Sequence, residues 1–399
     1  MSVFPVVADT FLYMFTAAAY FLALLLMVLS VWMIENFKYG FIAGIFLFSC
    51  SLGIYQAYLG IWIGIVLCVL LKKCFDAAGT FSKLMLTITK YAGASIMGLI
   101  LYLIFMKIFM ILLNIEPGSY QGFNELGILN VIKIIRGMGR GWLTYFSVIF
   151  EDVMGLSNNI VLRVSASLSI AFSCLCFIRG CIKNIKDNKI KCIAVVLFLL
   201  FPMGVNIIYA ICTMDSSYIY TLMLYPLALM FVFPIFLRER IGCRKGIGKA
   251  ILIAILSVTV GYYIYYDNEM YLKISFLQEQ TSAYYTVMIG QIKSCPGYED
   301  SMPVAFVGGE NIEDQTLTRM EHFDNITLIP AEQTLKNWIN NYNFIAYMAY
   351  HCGFSPRVIS DIAEIGNEDT IASMPCYPDS GSIRIINDVV VVKMGNEIE

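Results

Sequence analysis

Tyr39-Gly-Phe-Ile-Ala-Gly-Ile-Phe-Leu-Phe-Ser-Cys-Ser-Leu-Gly-Ile-Tyr-Gln-Ala-Tyr-Leu-Gly-Ile-Trp-Ile-Gly-Ile-Val-Leu-Cys-Val-Leu-Leu71 contains no charged residue. A hydrocarbon core of about 30 Å takes about 20 helical residues, so this run is too long for one crossing. It holds Gly53-Ile-Tyr-Gln56 and Gly60, and a break there into two short helices is the economical solution. Backbone broken at membrane depth must be buried in protein or line a wet cavity.

Further apolar runs lie at residues 10–34, 91–113, 156–178, 193–214, 217–237 and 251–266. The first has no basic n-region and no small-residue cleavage site before a polar mature start, so it reads as a permanent span. Composition agrees: 59% of the 399 residues are hydrophobic, 14% are charged and the mean hydropathy is +0.72. Soluble domains are about 45–50% apolar and about 25% charged, so a soluble globular fold is excluded.

Charge sets the orientation. Lys38, then Lys72, Lys73, Lys83 and Lys90, then Arg179 to Lys191, then Arg238 to Lys249 form basic clusters that share one side only if the 39–71 run crosses twice. With that parity the clusters face the cytoplasm. The Tyr55-Gln56 turn, residues 114–155 and everything after Tyr266 then face outward. Residues 1–266 hold 20 Lys/Arg against 10 Asp/Glu, and residues 267–399 hold 7 against 19. The expectation is an all-α polytopic membrane protein of about eight crossings with a small C-terminal extracytoplasmic α/β domain. The boundary falls between a transmembrane domain, 1–266, and an outer domain, 267–399.

In the acidic part, residues 271–293 continue as helix, Pro303 to Gly308 reads as a short buried strand, residues 332–350 have helical periodicity, and Ser382 to Met394 reads as a strand or hairpin. Gly308-Gly309 lacks the spacing of a nucleotide fingerprint and reads as a strand-end turn. Cys295, Cys352 and Cys376 leave one disulfide plus a thiol, or three thiols, open. There is no CxxC, HExxH or GxSxG, so zinc and serine-hydrolase chemistry are unsupported.

Polar material at the outward side carries the candidate chemistry. Residues 114–155 suggest a helix lying in the interface. Lys133, Arg136 and Arg140 fall on one face of it, followed by Trp142, Tyr145 and Phe146. Arg offers paired hydrogen bonds to phosphate oxygens, so this face suits a lipid-linked phosphate; ordinary headgroup binding is the competing reading. Glu151 and Asp152 could act as base or hold a divalent cation, the one cofactor considered, while Asp152 equally suits a helix start. Asp9 has the same ambiguity. Arg163 falls inside a span near its outer end, where an ionisable group is a functional candidate and snorkelling its alternative. Tyr55 and Gln56 offer a hydroxyl and an amide to a sugar.

Three stretches carry a resemblance: Phe4-Pro-Val-Val-Ala-Asp-Thr-Phe-Leu-Tyr-Met-Phe-Thr-Ala-Ala-Ala-Tyr20, Ser51-Leu-Gly-Ile-Tyr-Gln-Ala-Tyr58, and Met374-Pro-Cys-Tyr-Pro-Asp-Ser-Gly-Ser-Ile383 with Val390-Val-Val-Lys393. Together they resemble the bacterial GtrII glucosyltransferases, which are similar to multi-spanning C-type glycosyltransferases. The resemblance implies a polyprenyl-phosphate sugar donor, a surface glycan acceptor such as O-antigen, a lipid bilayer around the protein, no nucleic acid and no nucleotide sugar at the site. It places the protein in the bacterial cytoplasmic membrane with its C-terminal domain outside. Relatives open with further spans, whose first outward loop carries the catalytic acids. This chain opens at a later span, so it is a truncated form inactive alone, one with its start placed too far downstream, or a diverged member. Asp9, Glu151 and Asp152 are therefore catalytic candidates by position only. A polysaccharide flippase or polymerase and a non-enzymatic binding protein stay open as other classes; no internal repeat supports a transporter.

Overall fold

A computed structural model describes residues 3–12, 14–76, 80–115, 131–153, 159–212, 219–240, 246–308, 321–323, 326, 344–359, 365–366 and 368–395. The chain divides into two compact units, Met1–Asp267 and Asn268–Glu399.

The first unit is helical: α1 (Val6–Leu12), α2 (Met14–Asn36), α3 (Gly40–Ile54), α4 (Leu59–Phe75), α5 (Phe81–Leu113), α6 (Val131–Ser147), α7 (Ile160–Lys183), α8 (Asn188–Val205), α9 (Ile208–Ile211) and α10 (Leu229–Arg240). A short 3-10 turn, Gln56–Tyr58, joins α3 to α4, and a 3-10 helix, Thr221–Ala228, leads into α10. The 47-residue α11 (Ile247–Lys293) runs from this unit into the next. Among the described residues, seven helices are long and apolar enough to cross a membrane, with Gly40–Ile54 as a shorter apolar helix. The fold is that of a multi-pass membrane protein.

The 39–71 run breaks where its glycines and polar pair stand. Tyr55 is extended (φ −154, ψ 105), and its N–H still closes α3 on the Ser51 carbonyl at 2.8 Å. The 15 residues of α3 and 17 of α4 rise only about 22 and 25 Å, each short of a full hydrocarbon core. Gln56 donates to the Tyr102 hydroxyl at 3.0 Å, and α5 continues about 16 Å beyond that level to Leu113. The junction thus sits below the rim, its irregular backbone sheltered by protein. Helix α1 packs on the 3-10 helix Thr221–Ala228, and Tyr13, between α1 and α2, lies outside the described residues.

With hydrocarbon outside as well as inside, helices associate through close backbone approach and interhelical hydrogen bonds. Small hydroxyls stitch α2, α3 and α5 together: Ser30 to the Gly44 carbonyl (2.5 Å), Ser51 to Ala23 (2.7 Å) and Ser49 to Gly98 (2.6 Å). Ser169 ties α7 to the Met230 carbonyl of α10 at 3.1 Å. Trp62, 1% exposed, donates to Ser95 at 3.0 Å and packs on Phe48 at the centre of this core.

The basic helix ends gather at one end of the bundle. Lys73 pairs with Glu35 at 3.2 Å, Tyr91 donates to the other Glu35 oxygen at 2.9 Å, and the Lys90 ammonium donates to the Ile34 carbonyl at 2.7 Å. Lys189 lies over the Phe81 ring, and Phe75 meets Phe177.

The second unit holds the C-terminal part of α11, a sheet of β1 (Val304–Val307), β2 (Ile383–Ile386) and β3 (Val389–Lys393), and the short helices α12 (Phe344–Cys352) and α13 (Glu368–Ser373). Sheet order is β1-β3-β2, with β3 parallel to β1 and antiparallel to β2. Asn387 and Asp388, both at positive φ, make the two-residue hairpin turn that suits strand twist. Gly308 (φ +74) ends β1 as a turn, where a side chain would strike the Gly395 backbone. Of the expected 332–350 helix, residues 344–350 are helical and 332–343 lie outside the described residues, as do Gly309 and residues 116–130. Cys295, Cys352 and Cys376 are free thiols.

Candidate active site

At the end of the first unit away from the basic clusters, α1, the Tyr55 junction and the start of the 3-10 helix Thr221–Ala228 meet. Asp9 is 0% exposed there, and neither carboxylate oxygen has a hydrogen-bond partner among the described residues. Burial raises its carboxyl to about 7, opposed by the Leu222 backbone N–H, which faces it without completing a hydrogen bond. The Tyr55 hydroxyl lies in the field of Asp9 and is also buried without a partner. Rings enclose the place: Tyr20 on Tyr55 (4.5 Å), Tyr55 on Tyr58 (5.0 Å) and Tyr58 on Tyr225 (5.9 Å). Gln56, turned to Tyr102, is held away from Asp9 by its own hydrogen bond.

The cationic helix differs from its expected posture. Rather than lying flat, α6 runs antiparallel along α8 and α9. Gly137 abuts the Tyr209 carbonyl and Ala210, and a Cβ on Gly141 would stand 2.7 Å from the Asn206 carbonyl oxygen. Tyr145, 4% exposed, reaches the Phe201 ring. The spacing Gly137-x-x-x-Gly141 permits this close approach, and it was the sequence signal for a descending helix. Asn206 donates to the Gly141 carbonyl at 2.9 Å, locking the seam.

Lys133, Arg136 and Arg140 fall within about 60° of one another around α6 and are exposed, beside the glycine seam. Ile132, Ile135 and Leu143 expose an apolar sector on the other flank. The helix therefore presents a cationic stripe next to an apolar one.

Arg163 stands in the first turn of α7, inside the candidate span Ile160–Lys183 near its start, and donates to the Phe150 carbonyl at 3.0 Å. Asn159 caps that helix, accepting from the Val161 N–H at 2.8 Å, so Asp152 does not start it. Asp152 is half-buried between α6 and that cap, and Asp267, which sequence reasoning passed over because it follows the last apolar run, is half-buried on α11. Glu151 is exposed. The structure thus sets α1 with Asp9, and the turn after Tyr55, against one 3-10 helix, Thr221–Ala228, and carries Lys133, Arg136 and Arg140 on α6, while Glu151, Asp152 and Arg163 fall between the end of α6 and the first turn of α7.

Among the described residues no cluster of three or more His, Cys, Asp or Glu could hold a metal ion. A family profile described as Glucosyl transferase GtrII matches residues 1–233. It covers the stretches at Phe4 and Ser51 and ends before the one at Met374. No curated protein and no solved structure matches the chain.

Proposed function

Because this chain belongs to the GtrII glucosyl transferase family, we propose that it moves a glucosyl, or more broadly hexosyl, group from a polyprenyl-phosphate sugar to a cell-surface polysaccharide. The observation that carries the reading is Asp9, a fully buried carboxyl whose oxygens have no hydrogen-bond partner among the described residues and which burial raises to about 7. A base works best with a pKa near the operating pH and contributes about 10²–10⁴-fold.

In the reaction, Asp9 takes the proton of the acceptor hydroxyl as its oxygen attacks the anomeric carbon. The bond from that carbon to the phosphate oxygen breaks, its electron pair stays on the phosphate, and polyprenyl phosphate leaves. Lys133, Arg136 and Arg140 meet the charge that develops there, and the apolar sector of α6 lies beside the isoprenoid tail. Tyr55 contacts the sugar. Glu151, Asp152 and Arg163 are assigned to the rim, where they meet the incoming glycan.

The basic end faces the cytoplasm in this reading, since Lys/Arg-rich connections are retained inside. The Asp9 end and the second unit then lie outside, with α3 and α4 counted as two of eight crossings. Purified full-length protein given polyprenyl-phosphate glucose and isolated surface polysaccharide should release polyprenyl phosphate. No release by the wild type, in the presence of both, would sink the reading.

A further inference from the structure

Helix α11 begins part-way along α7. The Phe172 ring of α7 comes within 4.0 Å of where a Cβ on Gly248 would stand, in the first turn of α11. The end of α7 and the start of α11 both belong to the basic end of the unit, so the two helices run in opposite senses. From Phe172, α11 therefore departs in one direction while α7 continues in the other to Lys183, about 16 Å further.

Arg179 and Lys183 follow Phe172 at i+7 and i+11, so all three share one face of α7. The last two turns of that face extend past the start of α11, and both cations on them are exposed. Lys249, in the first turn of α11, is exposed as well. Among the described residues no carboxylate pairs with any of the three. Glu239 is the one acid in the stretch from Arg238 to Lys249, which holds five cations. Leu175, Ile178 and Ile182, 67%, 54% and 78% exposed, run along α7 beside the cationic face.

The complement of this notch is an anion joined to hydrocarbon. An Arg fork takes phosphate oxygens in pairs, and basic recesses between membrane helices take anionic headgroups. A free phosphate ion would meet the cations and leave the apolar strip uncovered.

We propose that the notch binds an anionic phospholipid of the adjoining leaflet, its phosphate held by Arg179, Lys183 and Lys249 and an acyl chain lying along Ile178 and Leu175. The site is at the other end of the unit from Asp9 and is independent of the proposed transfer.

The test is native mass spectrometry of the full-length protein in detergent, titrated with dioleoyl phosphatidylglycerol or dioleoyl phosphatidylcholine. The wild type should bind one phosphatidylglycerol about 30-fold more tightly than phosphatidylcholine, the worth of two cations beside an anionic lipid. Replacing Arg179 and Lys183 together with Gln should abolish that preference, while Arg179→Lys with Lys183→Arg keeps it to within a few-fold. Lys38→Gln with Lys189→Gln removes the same charge from exposed positions on other helices and should leave the preference intact. No preference in the wild type would overturn the proposal. Equal loss in both Gln pairs would reduce the effect to diffuse charge and overturn it too. Tighter binding of polyprenyl phosphate than of phosphatidylglycerol, lost in the Arg179 and Lys183 pair alone, would assign the notch to a different lipid and likewise overturn it.

Discussion

The two ends of the helical unit treat polar groups in opposite ways. At the basic end Glu35 is saturated by Lys73 and Tyr91, and Lys90 is spent on the Ile34 carbonyl. At the other end Asp9, Tyr55 and Thr221 are buried with side-chain oxygens that have no partner among the described residues. An unsatisfied buried polar group costs about 1–3 kcal/mol, more when charged. The fold meets this demand at one end and leaves it unmet at the other.

Removing the central group should sharpen that contrast most. Asp9→Asn is expected to lower transfer by about 10²–10⁴-fold while stabilising the protein. The folded-state carboxyl lies near 7 against an ordinary 3.8, so the folded state binds the proton more tightly than the unfolded chain. Stability is then greatest below pH 4 and falls as pH rises to 7, by up to about 4 kcal/mol. Thermal melts at pH 5 and 8 should show this loss in the wild type and not in Asp9→Asn; parallel curves would break the comparison.

The next effect belongs to α6. Replacing Arg136 and Arg140 together with Gln should weaken binding of polyprenyl-phosphate sugar by about 1.5–3 kcal/mol per lost charge-assisted bond. Replacing both with Lys should restore little, because a point charge does not reproduce a planar fork. Equal affinity of all three proteins would return the stripe to headgroup anchoring.

The basic end should respond in the reverse sense. Tyr91→Phe removes one hydrogen bond to a carboxylate, at about 1.5–3 kcal/mol of stability, with kcat/KM unchanged. A kinetic defect there would erase the distinction between the two ends. In the second unit Lys393, 2% exposed, donates to the Ala372 and Met374 carbonyls at 2.7 Å each. Lys393→Met should leave both carbonyls unmet and cost about 1–3 kcal/mol of that unit's stability, measured as loss of protection of its amides from hydrogen exchange.

What was legible in the sequence follows from what each feature depends on. Span length is a property of the chain itself, so the overlong 39–71 run announced its break at Tyr55, and the valine run 389–392 with Asn387-Asp388 before it announced the β2–β3 hairpin. The posture of α6 was written in Gly137-x-x-x-Gly141, but a cationic face read alone points to a flat surface helix. The start of α7 was marked by Asn159, which sets Arg163 in the first turn of the span. The burial of Asp9 depends on a helix more than two hundred residues away, and no local pattern separates it from an exposed acid before a span.

The pH dependence of transfer tests the central claim most directly. The quantity to measure is kcat/KM for isolated surface polysaccharide at saturating polyprenyl-phosphate glucose, from pH 5 to 9, in full-length wild type and Asp9→Asn. Asp9 as base predicts a wild-type rate that rises tenfold per pH step and levels off above about 7, with a residual and flat profile in Asp9→Asn. The same rising limb in both proteins, at comparable rates, would contradict it.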